Sequence, residues 1–185
     1  MKRLSCLLFG AGVFLTACST AGVSIADYAT AVEERAATYG ADSDALREEH
    51  LAILEDTVTR LQRELDGDAL VKAAIGETAQ ESTKLFAGIS DALDRYVRDL
   101  DAMDAPAAVS DDHREYIQAL DTSRMGLAPV LEDLPGATSF EEIDRMIAGS
   151  GFADAQQRVE AACHGLERAI ESQGPEVDLR CEATR

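Results

Sequence analysis

The chain has 185 residues, with 35 Asp and Glu against 17 Lys and Arg, a formal charge of −18 at pH 7. That balance repels polyanions, which excludes nucleic acid and anionic lipid head groups from the expected partners. Apolar residues make up 46% of the chain, aromatic ones only 5%, and Trp is absent, a composition suited to a solvated helical domain. After residue 24 no segment alternates apolar and polar residues over strand length, and helical periodicity runs throughout. The expected fold class is therefore all-α.

The chain opens on a basic Met1-Lys2-Arg3, followed by a mostly apolar run from Leu4 to Leu15. That run suits a secretory signal and is too short to span a bilayer. It ends in Leu15-Thr16-Ala17-Cys18, which resembles the lipobox of bacterial lipoproteins. The resemblance implies that residues 1–17 are a cleaved signal peptide and that Cys18 is lipidated, with palmitate among its acyl chains. It implies membrane anchoring in the cell envelope, on the periplasmic or extracellular face. Ser19 rather than Asp follows the cysteine, which by the same resemblance favours the outer membrane where the cell has one. Residues 18–23 then form a lipidated start and short tether, and 24–185 a single helical domain. Loss of Lys2 and Arg3 moves the formal charge from −18 to −20.

The first helix is predicted from Ser24 to Leu65. Ile25, Val32, Tyr39, Leu46 and Ile53 are spaced by seven, so one phase persists across Gly40, and Leu54, Val58, Leu61 and Leu65 extend the apolar positions. A break at Gly40-Ala41-Asp42 is the alternative. Asp66-Gly67-Asp68 reads as a turn, with Asp68 capping a second helix from Ala69 to Met103. Its stripe includes Leu70, Leu85, Phe86, Ile89, Leu93, Tyr96 and Leu100, and Ala105-Pro106 should stop it. Ser110 is the expected cap of a third helix running to Leu134, which Pro129 should kink or split near Gly126. Ser139 and Glu142 form a capping-box pattern for a short helix, Phe140 to Ala148. After Gly149-Ser150-Gly151, the last helix should run from Phe152 to Ser172 and bury Phe152, Val159, Cys163, Leu166 and Ile170. Short connections between amphipathic helices imply an up-down bundle. The first two helices would each exceed ~50 Å at 1.5 Å per residue, so one end of that hairpin should overhang.

Cys163 and Cys181 are the two cysteines left beyond the signal and Cys18. An even pair outside the cytoplasm reads as a disulfide. It would clip the C-terminal tail, including Val177-Asp178-Leu179, to the last helix. A metal site is the rival, with only His164 close in sequence. Pro106 to His113, Cys163-x-x-Leu166 and Val177-Asp178-Leu179-x-Cys181 are similar to patterns in uncharacterised helical bacterial lipoproteins. That similarity covers the C-terminal half, adds support for the disulfide and implies no activity.

No catalytic pattern emerges. Glu-x-x-His pairs for a di-iron bundle are absent, as is His-Glu-x-x-His. Gly149-Ser150-Gly151 is not a nucleophile elbow. Asp111-Asp112-His113 with Glu115 reads as an acidic first helical turn, and His164 as a surface partner of Glu160. No cofactor is expected. Were a small ligand, haem or metal to be carried between helices, His50, His113 and Met125 would be its ligands or lining. The expected function is non-catalytic binding or scaffolding in the cell envelope. The membrane is reached through the lipid, and a protein partner through an apolar strip on the overhanging hairpin.

Overall fold

The computed structural model describes residues 22–184; the lipobox and Cys18 lie outside the described residues. The described chain is all-α. Helix α1 spans Ile25–Glu64, α2 Gly67–Asp101, α3 Ser110–Asp133, α4 Phe140–Gly149 and α5 Phe152–Glu171. Short 3-10 turns cover Leu134–Gly136 and Cys181–Thr184. Among the described residues no helix is long and apolar enough to cross a membrane.

Helix α1 is continuous through Gly40. Ser24 Oγ caps it by accepting from Asp27 N at 3.1 Å, which satisfies one of the amides left free at a helix start. The connection to α2 is tighter than expected. Gly67, at φ +53°, begins the helix, so Asp68 lies inside α2 and is not its cap. Glycine adopts that dihedral without steric cost, and it lets the chain reverse over Leu65-Asp66.

Helix α2 stops at Asp101, before the Ala105-Pro106 break, and Met103 packs on the core from the following turn. Ser110 is the first residue of α3 and not its cap. Its hydroxyl donates back to Ala107 O at 3.3 Å. Val109 takes the cap position, accepting from His113 N at 2.9 Å, while its own N–H donates to Pro106 O at 2.9 Å. Pro129 does not split α3, which runs unbroken to Asp133. Pro129 is exposed, so the carbonyl of Met125, which loses its helical donor, lies on the solvent side. Ser139 Oγ accepts from Glu142 N at 3.1 Å. The reciprocal arm of this capping box lands one residue early, with Glu142 Oε2 accepting from Thr138 N at 2.8 Å. Those contacts hold the Glu142 carboxyl below its usual range.

Neighbouring helices run antiparallel. Tyr39 of α1 meets Tyr96 of α2, Tyr96 meets Tyr116 of α3, and α5 returns beside α3 with the Phe152 backbone against Gly126 and Gly165 near Asp112. The main core lies at one end of the bundle. Val32, Leu100, Leu120, Val159, Leu166 and Ile170 are its apolar centre. All four tyrosines of the chain enter it. Tyr39 stacks on Tyr96 with ring centres 4.8 Å apart and planes 5° apart. Tyr96 and Tyr116 join their hydroxyls at 3.2 Å. Burial pushes the phenols of Tyr28, Tyr39, Tyr96 and Tyr116 upward, so all four stay protonated.

A smaller core of Ala79, Val130, Leu134 and Ile143 sits where α2 meets the end of α3 and the start of α4. Gly88 sets the spacing of α1 and α2 between the two cores. A Cβ there would stand 2.8 Å from Leu46 Cδ2.

The tail after α5 is clipped down. Cys163 and Cys181 lie at disulfide distance, with S–S 2.09 Å and Cα–Cα 5.6 Å. Leu179 is buried beside them, and its N–H donates to Glu167 Oε1 at 2.9 Å. Arg180 takes a left-handed φ of 53° and its N–H donates to Asp178 Oδ1 at 2.9 Å. That turn lets Leu179 and Cys181 both point inward while the Arg180 side chain crosses Gly40 of α1.

Candidate functional site

The far end of the α1–α2 hairpin differs from the rest of the molecule. In α1 the buried residues are Tyr28, Ala29, Val32, Ala36, Gly40 and Ser43 in the first half, but only Thr57 and Leu61 beyond. In α2 none before Ala79 is buried. The apolar pattern nevertheless continues into this region. Leu51 is 64% exposed, Val58 45%, Val71 52% and Ile53 37%. Ile53 and Val58, two of the apolar positions along the predicted first helix, are thus on the surface.

On a helical projection Leu51, Leu54 and Val58 share one side of α1, with Leu51 and Val58 exposed and Leu54 half-buried. Asp44, Glu48 and Glu55 border that strip on the side turned from α2. Arg60 bridges the hairpin on another side, with Glu77 Oε1 at 2.8 Å and Glu64 Oε2 at 3.6 Å. The strip is thus apolar with an acidic margin. At the same end of the hairpin a cleft of about 480 Å³ lies between the start of α2 and the link into α4, lined by Val71, Lys72, Ile75, Ala137 and Thr138.

His50 directly precedes Leu51 on α1, whereas His113 and Met125 stand on α3 and His164 on α5. His113 is buried with both ring nitrogens engaged, Nδ1 2.7 Å from Tyr28 Oη and Nε2 3.1 Å from Leu100 O. A carbonyl only accepts, so Nε2 carries the proton and Nδ1 accepts from the tyrosine. Burial lowers the pKa of His113, partly opposed by the Leu100 hydrogen bond and Asp101. His113 is therefore a neutral structural bridge between α1, α2 and α3.

His50 is half-buried in a small crevice with Leu46, Ile53, Glu81 and Lys84. Burial lowers its pKa, partly opposed by Glu81. Met125 is 56% exposed on α3. His164 Nδ1 lies 2.8 Å from Glu167 Oε2, a partner that the sequence reading did not name. Among the described residues the group of potential metal ligands that converges is Cys163, Glu167 and Cys181. Its two sulfurs are bonded to each other, so no thiolate is available to a cation. Glu167 instead holds the tail, through Leu179 N.

Sequence reasoning missed the buried Glu81, whose Oε1 lies 2.7 Å from Lys84 Nζ. It also missed the Tyr28–His113–Leu100 chain. The i, i+3 spacing of Glu81 and Lys84 was a readable signal for the first, but no local signal exists for the second, which joins three helices.

No family model, curated protein or solved structure matches the chain.

Proposed function

We propose that this protein is a lipid-anchored, non-catalytic binding protein of the bacterial cell envelope, tethered through Cys18 and presenting the far end of its α1–α2 hairpin to a protein partner. The observation that carries the reading is the strip of Leu51, Leu54 and Val58, of which Leu51 is 64% and Val58 45% exposed. Leaving large apolar side chains in water costs about 1.5–3 kcal/mol apiece relative to burying them. A contiguous apolar stretch with a polar rim is the usual form of a contact surface. The acidic margin of Asp44, Glu48 and Glu55 favours a partner that brings basic side chains to the rim. The lipobox-like Leu15-Thr16-Ala17-Cys18 supports the tether, and the Cys163–Cys181 pair is in keeping with an oxidising compartment.

Two experiments separate the parts of this reading. Fatty-acid labelling in cells should mark the wild type and not Cys18→Ala, which should leave the membrane fraction; a membrane-bound, unlabelled wild type would remove the tether. Cross-linking in native membranes should trap a protein partner that the Leu51→Asn/Val58→Asn variant loses. An identical cross-linking pattern from that variant would remove the strip from the binding surface. A haem or metal carrier built on His50, His113 and Met125 has less support, since His113 already spends both nitrogens inside the protein.

A further inference from the structure

Helix α5 and the tail bring three donor side chains to one point. Cys163 and Glu167 are four residues apart on α5, one helical turn on the same face. Cys181 arrives from the tail, through the turn at Arg180 beside the buried Leu179. The two Sγ atoms and a carboxylate oxygen of Glu167 lie within 4.8 Å of one another. Both cysteines are buried, and the Glu167 side chain is only 17% exposed. The carboxylate is held at both oxygens. Oε1 accepts from Leu179 N at 2.9 Å, and Oε2 lies 2.8 Å from His164 Nδ1. With the disulfide closed, Glu167 serves to hold the tail. With it open, the same carboxylate stands beside two thiols. Two thiolates and a carboxylate in one buried place are costly unless a cation joins them.

We propose that, once the disulfide is reduced, Cys163, Glu167 and Cys181 form a binding site for one divalent cation of the zinc class. Two thiolates select a borderline-soft ion over calcium or magnesium, which take oxygen ligands. Zinc holds sulfur at about 2.3 Å and carboxylate oxygen at about 2.0–2.2 Å in a tetrahedron, so two donors of one ion stand about 3.6–3.8 Å apart. The three donors already lie within that reach, given small side-chain rotations. Water completes the tetrahedron. His164 and the Leu179 amide are the outer partners that orient Glu167. The reductant is a dithiol. It supplies two electrons and two protons, the Sγ–Sγ bond breaks to two thiols, and the dithiol closes to its own disulfide. The cation then displaces both protons into solvent. Bond and ion exclude each other, so the tail is clipped by one or by the other. The site depends neither on the lipid anchor nor on the hairpin strip.

The test uses the full chain in detergent, reduced with a phosphine and desalted under nitrogen. Thiol counting before and after reduction shows that two new thiols have formed. Co²⁺ is the probe, because thiolate ligands give it a charge-transfer band in the near ultraviolet and a tetrahedral site gives it strong visible bands. Co²⁺ on surface carboxylates gives neither. The reduced wild type should take up one Co²⁺ with both sets of bands, and Zn²⁺ should displace it. The oxidised wild type and Cys163→Ser/Cys181→Ser should show neither set. Glu167→Gln should weaken Co²⁺ binding by at least about tenfold. Zn²⁺ should also raise the melting temperature of the reduced wild type, followed by circular dichroism, and leave that of Cys163→Ser/Cys181→Ser unchanged. The comparison of reduced with oxidised wild type needs no substitution, so it stands even if a variant fails to fold. A reduced wild type without the charge-transfer band overturns the proposal, whether it is folded or not. So does the same band in the oxidised protein or in Cys163→Ser/Cys181→Ser, or an equal rise in melting temperature in that variant. Unchanged affinity in folded Glu167→Gln overturns the three-residue ligand set.

Discussion

The two ends of this bundle carry the same kind of helical pattern and use it differently. At the clipped end, α1, α2, α3, α5 and the tail enclose Val32, Leu100, Leu120 and Leu166, and each is at most 1% exposed. At the hairpin end α1 and α2 run on together, and the same spacing places Leu51 and Val58 largely in water. An apolar stripe is thus only an offer of burial. Whether it becomes core depends on how many helices reach that level of the bundle.

The sharpest way to break this comparison is truncation. Leu120→Ala should destabilise the protein by about 2–5 kcal/mol, since it opens a cavity in a closed core. Val58→Ala should change stability by less than about 0.5 kcal/mol. Urea titration measures both, and similar losses would show that the hairpin end is packed after all. Next in size is the tail clip. Cys163→Ser/Cys181→Ser should cost about 3 kcal/mol, with amide exchange accelerating in α5 and the neighbouring core. Exchange that accelerates first at 52–64 would contradict the division into two ends.

Glycines sharpen the contrast on a smaller scale. Gly76 lies in the open hairpin end with nothing within 4 Å of a built Cβ. Gly76→Ala should therefore raise stability by about 0.5–1 kcal/mol through helix propensity. At Gly88 the Cβ would meet Leu46 Cδ2 at 2.8 Å, so Gly88→Ala should forfeit that gain or reverse it. Equal gains at both positions, read from thermal melts, would mean that α1 and α2 are not in close contact there.

The smallest effect is a pH dependence. His113 has its pKa lowered by burial. Below its unfolded value of about 6.5, the unfolded chain takes up a proton that the folded protein holds off. Stability is therefore fully present above that pH and falls as the pH drops, until folded His113 itself protonates. Tyr28, Leu100 O, Asp101 and Arg114 are the groups acting on it. His50, also lowered, contributes with the same sign. His113→Gln should flatten the decline between about pH 6.5 and 5, and an unchanged slope would show that His113 does not titrate on unfolding.

Much of this architecture was legible locally. The run of seven-residue spacings carried α1 across Gly40, and the capping residues Ser139 and Glu142 rest on rules spanning a few residues. The misreadings fall where a local signal had a competitor. Ser110 resembled a cap, but its hydroxyl was already used by Ala107 O. Pro129 resembled a break, but it sits on the open face of α3. For the candidate site, the exposed hairpin was legible as an overhang, but the apolar spacing did not say which of Ile53, Leu54 and Val58 would stay in water. The convergence of Glu167 with Cys163 and Cys181 had no local signature, because Cys181 reaches it through the tail.

Sequence alone determined the helices, their approximate ends and the pairing of Cys163 with Cys181, because these rest on backbone preference, periodicity and the parity of a short list of thiols. Tertiary structure alone decided which apolar residues are core and which are surface. It also decided that His113 is a neutral bridge and that Glu167 converges with the two sulfurs. Burial is a property of what arrives from elsewhere in the chain, and no window of neighbouring residues contains it.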